Sequence, residues 1–185
     1  MTAVQQLRTL ISGTEIAQRV EEMGRAITRD FDGQRIVFVG VLKGAAIFLA
    51  DLARQVQLDA TFDFIGVSSY GVRPTPDEEL NGWDSTGEVR LTKDLDQSIA
   101  SKNIILVEDI LDTGLTLTFI KKMLLSRDPK AVRVATLLDK PSRRKLPFQA
   151  DYVGFTIPDE FVVGYGLDYA EMYRNLPDIC VVPKR

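Results

Sequence analysis

Ile104-Ile105-Leu106-Val107-Glu108-Asp109-Ile110-Leu111-Asp112-Thr113-Gly114-Leu115-Thr116-Leu117 is the stretch that decides how this chain folds. Its apolar opening, Ile104-Ile105-Leu106, reads as a buried strand of a parallel sheet. Beyond it, Leu117, Ile120, Leu124 and Leu125 recur at the spacing of an amphipathic helix. The join is therefore a strand, an acidic loop, and then Thr113-Gly114-Leu115-Thr116 opening a helix. Free backbone N–H groups and the positive end of the helix dipole make that opening an anion site, most naturally for a phosphate. Yet Glu108, Asp109 and Asp112 stand beside it, and carboxylates repel phosphate. A sugar whose hydroxyls bond to the acids, together with a divalent cation that offsets charge, reconciles the two. A phosphorylated sugar with Mg²⁺ is the simplest ligand that fits.

The pattern repeats outward in both directions. Ser12-Gly13-Thr14-Glu15 reads as a capping box opening a helix to about Phe31, with Ile16, Val20, Met23 and Ile27 along one face. Arg35 to Val41 predicts a buried strand, Gly44 to Gln55 a helix and Leu58 to Ser69 another strand. Glu88 to Thr92 predicts a short strand, and Ala131 to Leu138 a further one. After Pro147 the pattern turns irregular, with short strands near Tyr152-Phe155, Phe161-Val163 and Ile179-Val182. Such alternation argues for right-handed βαβ units and an α/β fold: one twisted, mostly parallel sheet flanked by helices. Ligands of open α/β sheets bind at the carboxyl ends of strands. Lys43, Ser69, Asp109, Asp112 and Lys140 each follow a predicted strand, so they converge on one edge.

Composition narrows the classes. The 185 residues suit one domain, and a formal net charge of −3 gives no basic field for nucleic acid. Lys121-Lys122 and Arg143-Arg144-Lys145 read as a solvated helix face and a solvated loop. A single cysteine, Cys180, excludes an internal disulfide and sits among apolar neighbours as a small buried hydrophobe. No apolar run approaches membrane-spanning length, and the N-terminus carries no signal-peptide pattern. A cytoplasmic protein is expected.

Val107 to Leu117 resembles the phosphoribosyl pyrophosphate (PRPP) signature of type I phosphoribosyltransferases. Val41-Leu42-Lys43-Gly44, Ser68-Ser69-Tyr70-Gly71, Leu137-Leu138-Asp139-Lys140 and Ile157-Pro158-Asp159-Glu160-Phe161-Val162-Val163-Gly164-Tyr165-Gly166-Leu167-Asp168-Tyr169 resemble the hypoxanthine-guanine branch, in its order. The resemblance runs from about Ile36 onward. It implies the type I phosphoribosyltransferase fold, with a core over about 34–145 and a small hood from the N-terminal segment and about 146–185. It also implies a mobile loop over about 69–87 that closes on the site. Arg73 to Trp83 makes that loop longer than is usual in the family.

The resemblance assigns roles. Asp112 is implied as the catalytic group near purine N7; its bland alternative is a helix-capping Asp. Glu108 and Asp109 are implied to hold the ribose hydroxyls, directly or through metal-bound water. Thr113, Gly114, Leu115 and Thr116 would cradle the 5′-phosphate, with Leu115 acting through its backbone. Leu42, Lys43, Gly44, Ser69, Tyr70 and Arg174 would meet pyrophosphate, and the peptide before Lys43 is commonly cis in the family. Lys140 would face purine O6, Phe161 would stack on the base, and Val162 would bond its edge, with Asp168 also counted at the purine site. Asp168 would join Glu108 and Asp109 as an Mg²⁺ ligand. Partners implied are PRPP and a 6-oxopurine, no nucleic acid and no membrane, in a homodimer or homotetramer. Two other readings stay open: a PRPP-binding regulator, and a phosphoribosyltransferase preferring xanthine.

Overall fold

Residues 7–69 and 89–183 are described by the computed structural model. At its centre β2 (Ile36–Leu42) and β5 (Asn103–Leu111) run parallel, in register from Ile36↔Asn103 to Gly40↔Val107. Outside β2 lies β3 (Ala60–Ser69), and outside β5 lies β6 (Ala131–Asp139), both parallel to their neighbours. β7 (Tyr152–Thr156) adds a parallel edge beside β6, and β4 (Val89–Lys93) an antiparallel edge beside β3. The spatial order is β4-β3-β2-β5-β6-β7.

Side-chain alternation fixes which helices cover which face. From β2 and β5, Ile36, Phe38, Ile105 and Val107 pack with α1 (Gly13–Asp30) and α2 (Ala46–Arg54). Val37, Val39, Val41, Ile104 and Leu106 point the other way, against Leu117, Ile120 and Leu124 of α3 (Leu115–Leu125). Neighbouring residues of a strand face opposite sides, so an unbroken apolar run needs cover on both. The predicted capping box of α1 is present: Glu15 N–H donates to Ser12 Oγ at 3.3 Å, and Ser12 N–H donates to the Glu15 carboxylate at 2.8 Å. Such a cap stabilises a helix by about 1 kcal/mol.

Because β2 leads through α2 to one side and β5 through α3 to the other, their carboxyl ends flank a topological switch point. Open α/β sheets bind ligands at that position.

Three differences from the sequence reading have physical causes. Glu108 and Asp109 lie within β5 rather than in a loop after it. The ladder to β6 continues through Glu108↔Thr136 and Ile110↔Leu138 to Leu111↔Asp139, and an acidic residue is tolerated in a strand whose end opens to a cleft. α2 starts at Ala46, since Gly44 and Ala45 form the turn out of β2. A strand missed altogether, β1 (Arg8–Ile11), pairs with β9 (Ile179–Val181), and β9 with β8 (Val162–Val163), in a second sheet. Only Ile11 of β1 is buried, so no periodicity marked it; the distant β9 supplies its hydrogen bonds. β7, within the range 146–185, belongs to the larger sheet. Tyr70, Trp83 and the expected covering loop lie outside the described residues. Among the described residues no helix is long and apolar enough to cross a membrane.

Candidate active site

Two turns at the switch point form the floor of a cleft of about 410 Å³. One is Leu42-Lys43-Gly44, leaving β2 through a cis Leu42–Lys43 peptide. The other is Asp112-Thr113-Gly114, leaving β5. Gly114 is the N-cap of α3 with φ of +83°, a left-handed conformation that a side chain would strain, and it makes no side-chain cap bond. Asp112 is therefore not the helix cap, which removes its bland alternative. Its carboxylate pairs with Arg143 instead. Thr113, Gly114 and Thr116 line the cleft at the opening of α3. Leu115 is half-buried, and its N–H reaches Thr113 Oγ1 at 3.4 Å.

The acids of β5 sit opposite Gly44. A Cβ placed on Gly44 would fall 1.6 Å from Asp109 Oδ2, so the absence of a side chain there is what lets the carboxylate lie against the backbone. Asp109 Oδ1 also accepts the Ile110 N–H at 2.7 Å. Glu108 is buried. Its carboxyl is held well above the usual carboxylate range, chiefly by burial and then by the adjoining Asp109. Burial raises Asp109 as well. Two neighbouring carboxyls, one buried and one half-buried, resist losing both protons without a counter-charge. Their oxygens are hard donors, and Mg²⁺ is usually held by one or two carboxylates plus substrate phosphates and water rather than by an all-protein cage. The donor set therefore suits Mg²⁺, although no preassembled group of three potential ligands occurs among the described residues.

A second charged cluster borders Asp112. Arg143 Nε donates to Asp112 Oδ1 at 3.0 Å, and Arg143 Nη1 lies 3.8 Å from Asp159 Oδ1. Lys140, buried at the end of β6, has its Nζ 4.0 Å from the same Asp159 oxygen. Burial lowers the Lys140 ammonium below the usual lysine range, and Asp112 and Asp159 counteract this.

The wall opposite comes from the segment that follows β8. Gly164 and Gly166 have φ of +99° and +103°, and a Cβ on Gly166 would meet the Gly44 carbonyl oxygen at 2.1 Å. Close backbone approach thus seats this segment on the β2 turn. It brings Asp168 and Arg174, paired at 2.5 Å, into the cleft beside Lys43. Arg174 also donates to the Gly166 carbonyl at 2.7 Å, while its buried Nε finds no partner among the described residues. Lys43 meets Glu171 at 2.9 Å. Phe161 makes an edge contact with Tyr169, ring centres 5.7 Å apart, and Val162 is buried in β8.

The cleft itself gathers Leu42, Lys43, Gly44, Glu108, Asp109 and Asp112 with Thr113, Gly114, Thr116, Asp168 and Arg174. Lys140, Phe161 and Val162 do not line it. Lys140 adjoins it through Asp112 and Asp159. The backbone of Ser69 ends β3, and Tyr70 lies outside the described residues. Arg143 and Arg144 were misread as solvated. They carry side-chain exposures of only 27% and 15% and are both paired. Their position just past the carboxyl end of β6 was the available signal.

A mostly parallel sheet with a helix opening and paired acids at its switch point defines the class, and the chain belongs to the phosphoribosyltransferase family. The family model for a phosphoribosyl transferase domain matches residues 9–170. The similarities narrow to the hypoxanthine-guanine branch. The hypoxanthine-guanine phosphoribosyltransferase of Bacillus subtilis is 46% identical over 175 residues, 95% of this chain and 92% of that protein. A bifunctional TilS/HprT protein of Listeria monocytogenes is 45% identical over 175 residues, and there the chain spans 26% of the relative's length. A crystal structure of a hypoxanthine phosphoribosyltransferase from Staphylococcus aureus superposes with a TM-score of 0.89 at 44% identity, covering 99% of this chain and 95% of that one.

Proposed function

We propose that the chain transfers the 5-phosphoribosyl group from PRPP to N9 of hypoxanthine or guanine, forming IMP or GMP and releasing pyrophosphate. The observation that carries this reading is the single cleft in which the N-terminus of α3 faces Glu108, Asp109 and Asp112, with Lys140 adjoining. A phosphate accounts for the helix opening, ribose hydroxyls for the acid pair, and a 6-oxo group for the buried ammonium. Similarity to hypoxanthine-guanine enzymes over nearly the whole chain supports the same substrates.

Thr113, Gly114, Leu115 and Thr116 bind the 5′-phosphate through backbone N–H groups and hydroxyls, fixing the ribose over Glu108 and Asp109. As the C1′–pyrophosphate bond breaks and the N9–C1′ bond forms, the ribosyl carbon gains cationic character that the neighbouring carboxylates stabilise. Asp112 takes the proton leaving purine N7, for which it must exchange Arg143 for the base. Lys140 donates to O6 and meets the amino group of adenine unfavourably, which excludes that base. Phe161 stacks on the purine and the Val162 backbone bonds its edge. Leu42, Lys43, Gly44 and Arg174, with Ser69 and Tyr70, receive pyrophosphate. Glu108, Asp109 and Asp168 would hold Mg²⁺, directly or through water, and the ion bound there would supply positive charge against the acids and the phosphates. The working form in this reading is a homodimer or homotetramer in the cytoplasm.

The test is purified chain with Mg²⁺ and PRPP, offered hypoxanthine, guanine, xanthine and adenine in turn. Nucleotide from the first two and none from adenine is expected. PRPP binding without turnover on any base would favour a regulator, and turnover confined to xanthine would reassign the base.

A further inference from the structure

We propose that Arg144 is a positioning residue that orients the phosphate-binding turn and Asp112 from behind. The proposal rests on the PRPP-dependent reading above. Arg144 follows the short 3₁₀ turn Pro141–Arg143 and lies outside the cleft, on the far side of the Asp112-Thr113-Gly114 turn. Its Nη1 donates to the carbonyl oxygens of Leu111, at 3.0 Å, and Asp112. Its Nη2 donates to the carboxylate of Asp139 at the end of β6. The backbone continues the pattern: the N–H groups of Lys145 and Leu146 both donate to the Thr113 carbonyl, at 2.9 and 3.3 Å. Arg144 Cδ also packs 3.3 Å from where a Gly114 Cβ would be.

Three consecutive carbonyls, those of Leu111, Asp112 and Thr113, are thus fixed by one short segment. In a trans peptide the following N–H points opposite to the carbonyl. Pulling these carbonyls outward turns the N–H groups of Asp112, Thr113 and Gly114 the other way, toward the cleft that the same residues line. The phosphate cradle is then set before any ligand arrives, and the Asp112 side chain leaves a backbone that cannot rotate.

The chemistry calls for arginine. A planar guanidinium can serve two carbonyls of one turn and a carboxylate of the neighbouring strand at once, whereas an ammonium is a point donor on a flexible stem. Asp139 neutralises the charge, so Arg144 adds little field of its own at the cleft.

The test is steady-state kinetics and PRPP calorimetry on Arg144→Lys and Arg144→Gln beside the unmodified chain. In both variants the KM for PRPP should rise roughly tenfold and kcat fall roughly tenfold, together about the 10²-fold expected of an ångström-scale misplacement. The KM for hypoxanthine should change less than that for PRPP, because Arg144 holds the backbone of the turn directly and the base only through Asp112 and the Asp139 that precedes Lys140. A merely structural role lowers the active fraction, and with it kcat, but moves neither KM nor the calorimetric affinity of the folded protein. Unchanged PRPP affinity in folded variants overturns the proposal, and so does failure of both variants to fold, which would make Arg144 a strut for the fold alone. If the unmodified chain itself fails to turn over PRPP, it is the functional reading that falls.

Discussion

Gly44→Ala puts the geometry of the acid pair to a quantitative test. The added Cβ would lie 1.6 Å from Asp109 Oδ2 and 2.6 Å from Asp109 Cγ, where ordinary contact begins at 3.4 Å. The shortfall to Oδ2 is 3.4 − 1.6 = 1.8 Å. Moving Asp109 by that much breaks its 2.7 Å bond from the Ile110 N–H; moving Gly44 instead disturbs the close approach of its carbonyl to Gly166. Either way the β2 turn and the β5 acids no longer share one geometry. A displacement near 1 Å costs on the order of 10²-fold, so kcat/KM should fall at least that far, equivalent to about 2.7 kcal/mol. Overpacking of this kind destabilises by roughly 1–3 kcal/mol. The control is Gly33→Ala, where no atom lies within 4 Å of the new Cβ and only the φ of +67° is strained. That strain costs about 1–2 kcal/mol. Thermal melts should therefore fall by comparable amounts, while initial rates with PRPP and hypoxanthine fall only for Gly44→Ala. A Gly44→Ala enzyme with kcat/KM close to the unmodified value would refute the close packing and the role given to Asp109.

Asp112→Asn should retain PRPP binding by calorimetry while kcat drops roughly 10²–10⁴-fold, and collapse of affinity would mean a binding role instead. Lys140→Ala should raise the KM for hypoxanthine and narrow the gap to adenine, as read from initial rates on both bases. Burial lowers the Lys140 ammonium, so in the unmodified chain the KM for hypoxanthine should climb as pH rises through a window below the usual lysine range. Lys140→Ala should show no such climb. Excess chelator should abolish nucleotide formation, because Glu108 and Asp109 are mutually repelling without a cation; undiminished product would count against Mg²⁺.

What the sequence determined by itself was local and periodic. Apolar runs such as Ile104 to Val107 and Val37 to Val41 named their strands, Ser12 and Glu15 named a helix start, and Thr113-Gly114 named the opening of α3. These signals lie within a few residues of one another, and backbone sterics and side-chain period express them wherever the segment sits. Tertiary structure decided what depends on a distant partner. β1 became a strand because β9 offers hydrogen bonds, and β5 ran on through Glu108 and Asp109 because β6 lies alongside. Arg143 and Arg144 looked solvated in a basic run, yet folding sets one against Asp112 and the other against Asp139. Gly44 and Gly166 carry no charge or period, so nothing in the chain announced that Asp109 and Gly44 itself would press against them. Contacts between segments so far apart in the chain are fixed by the packing of both sheets, and no local pattern encodes them.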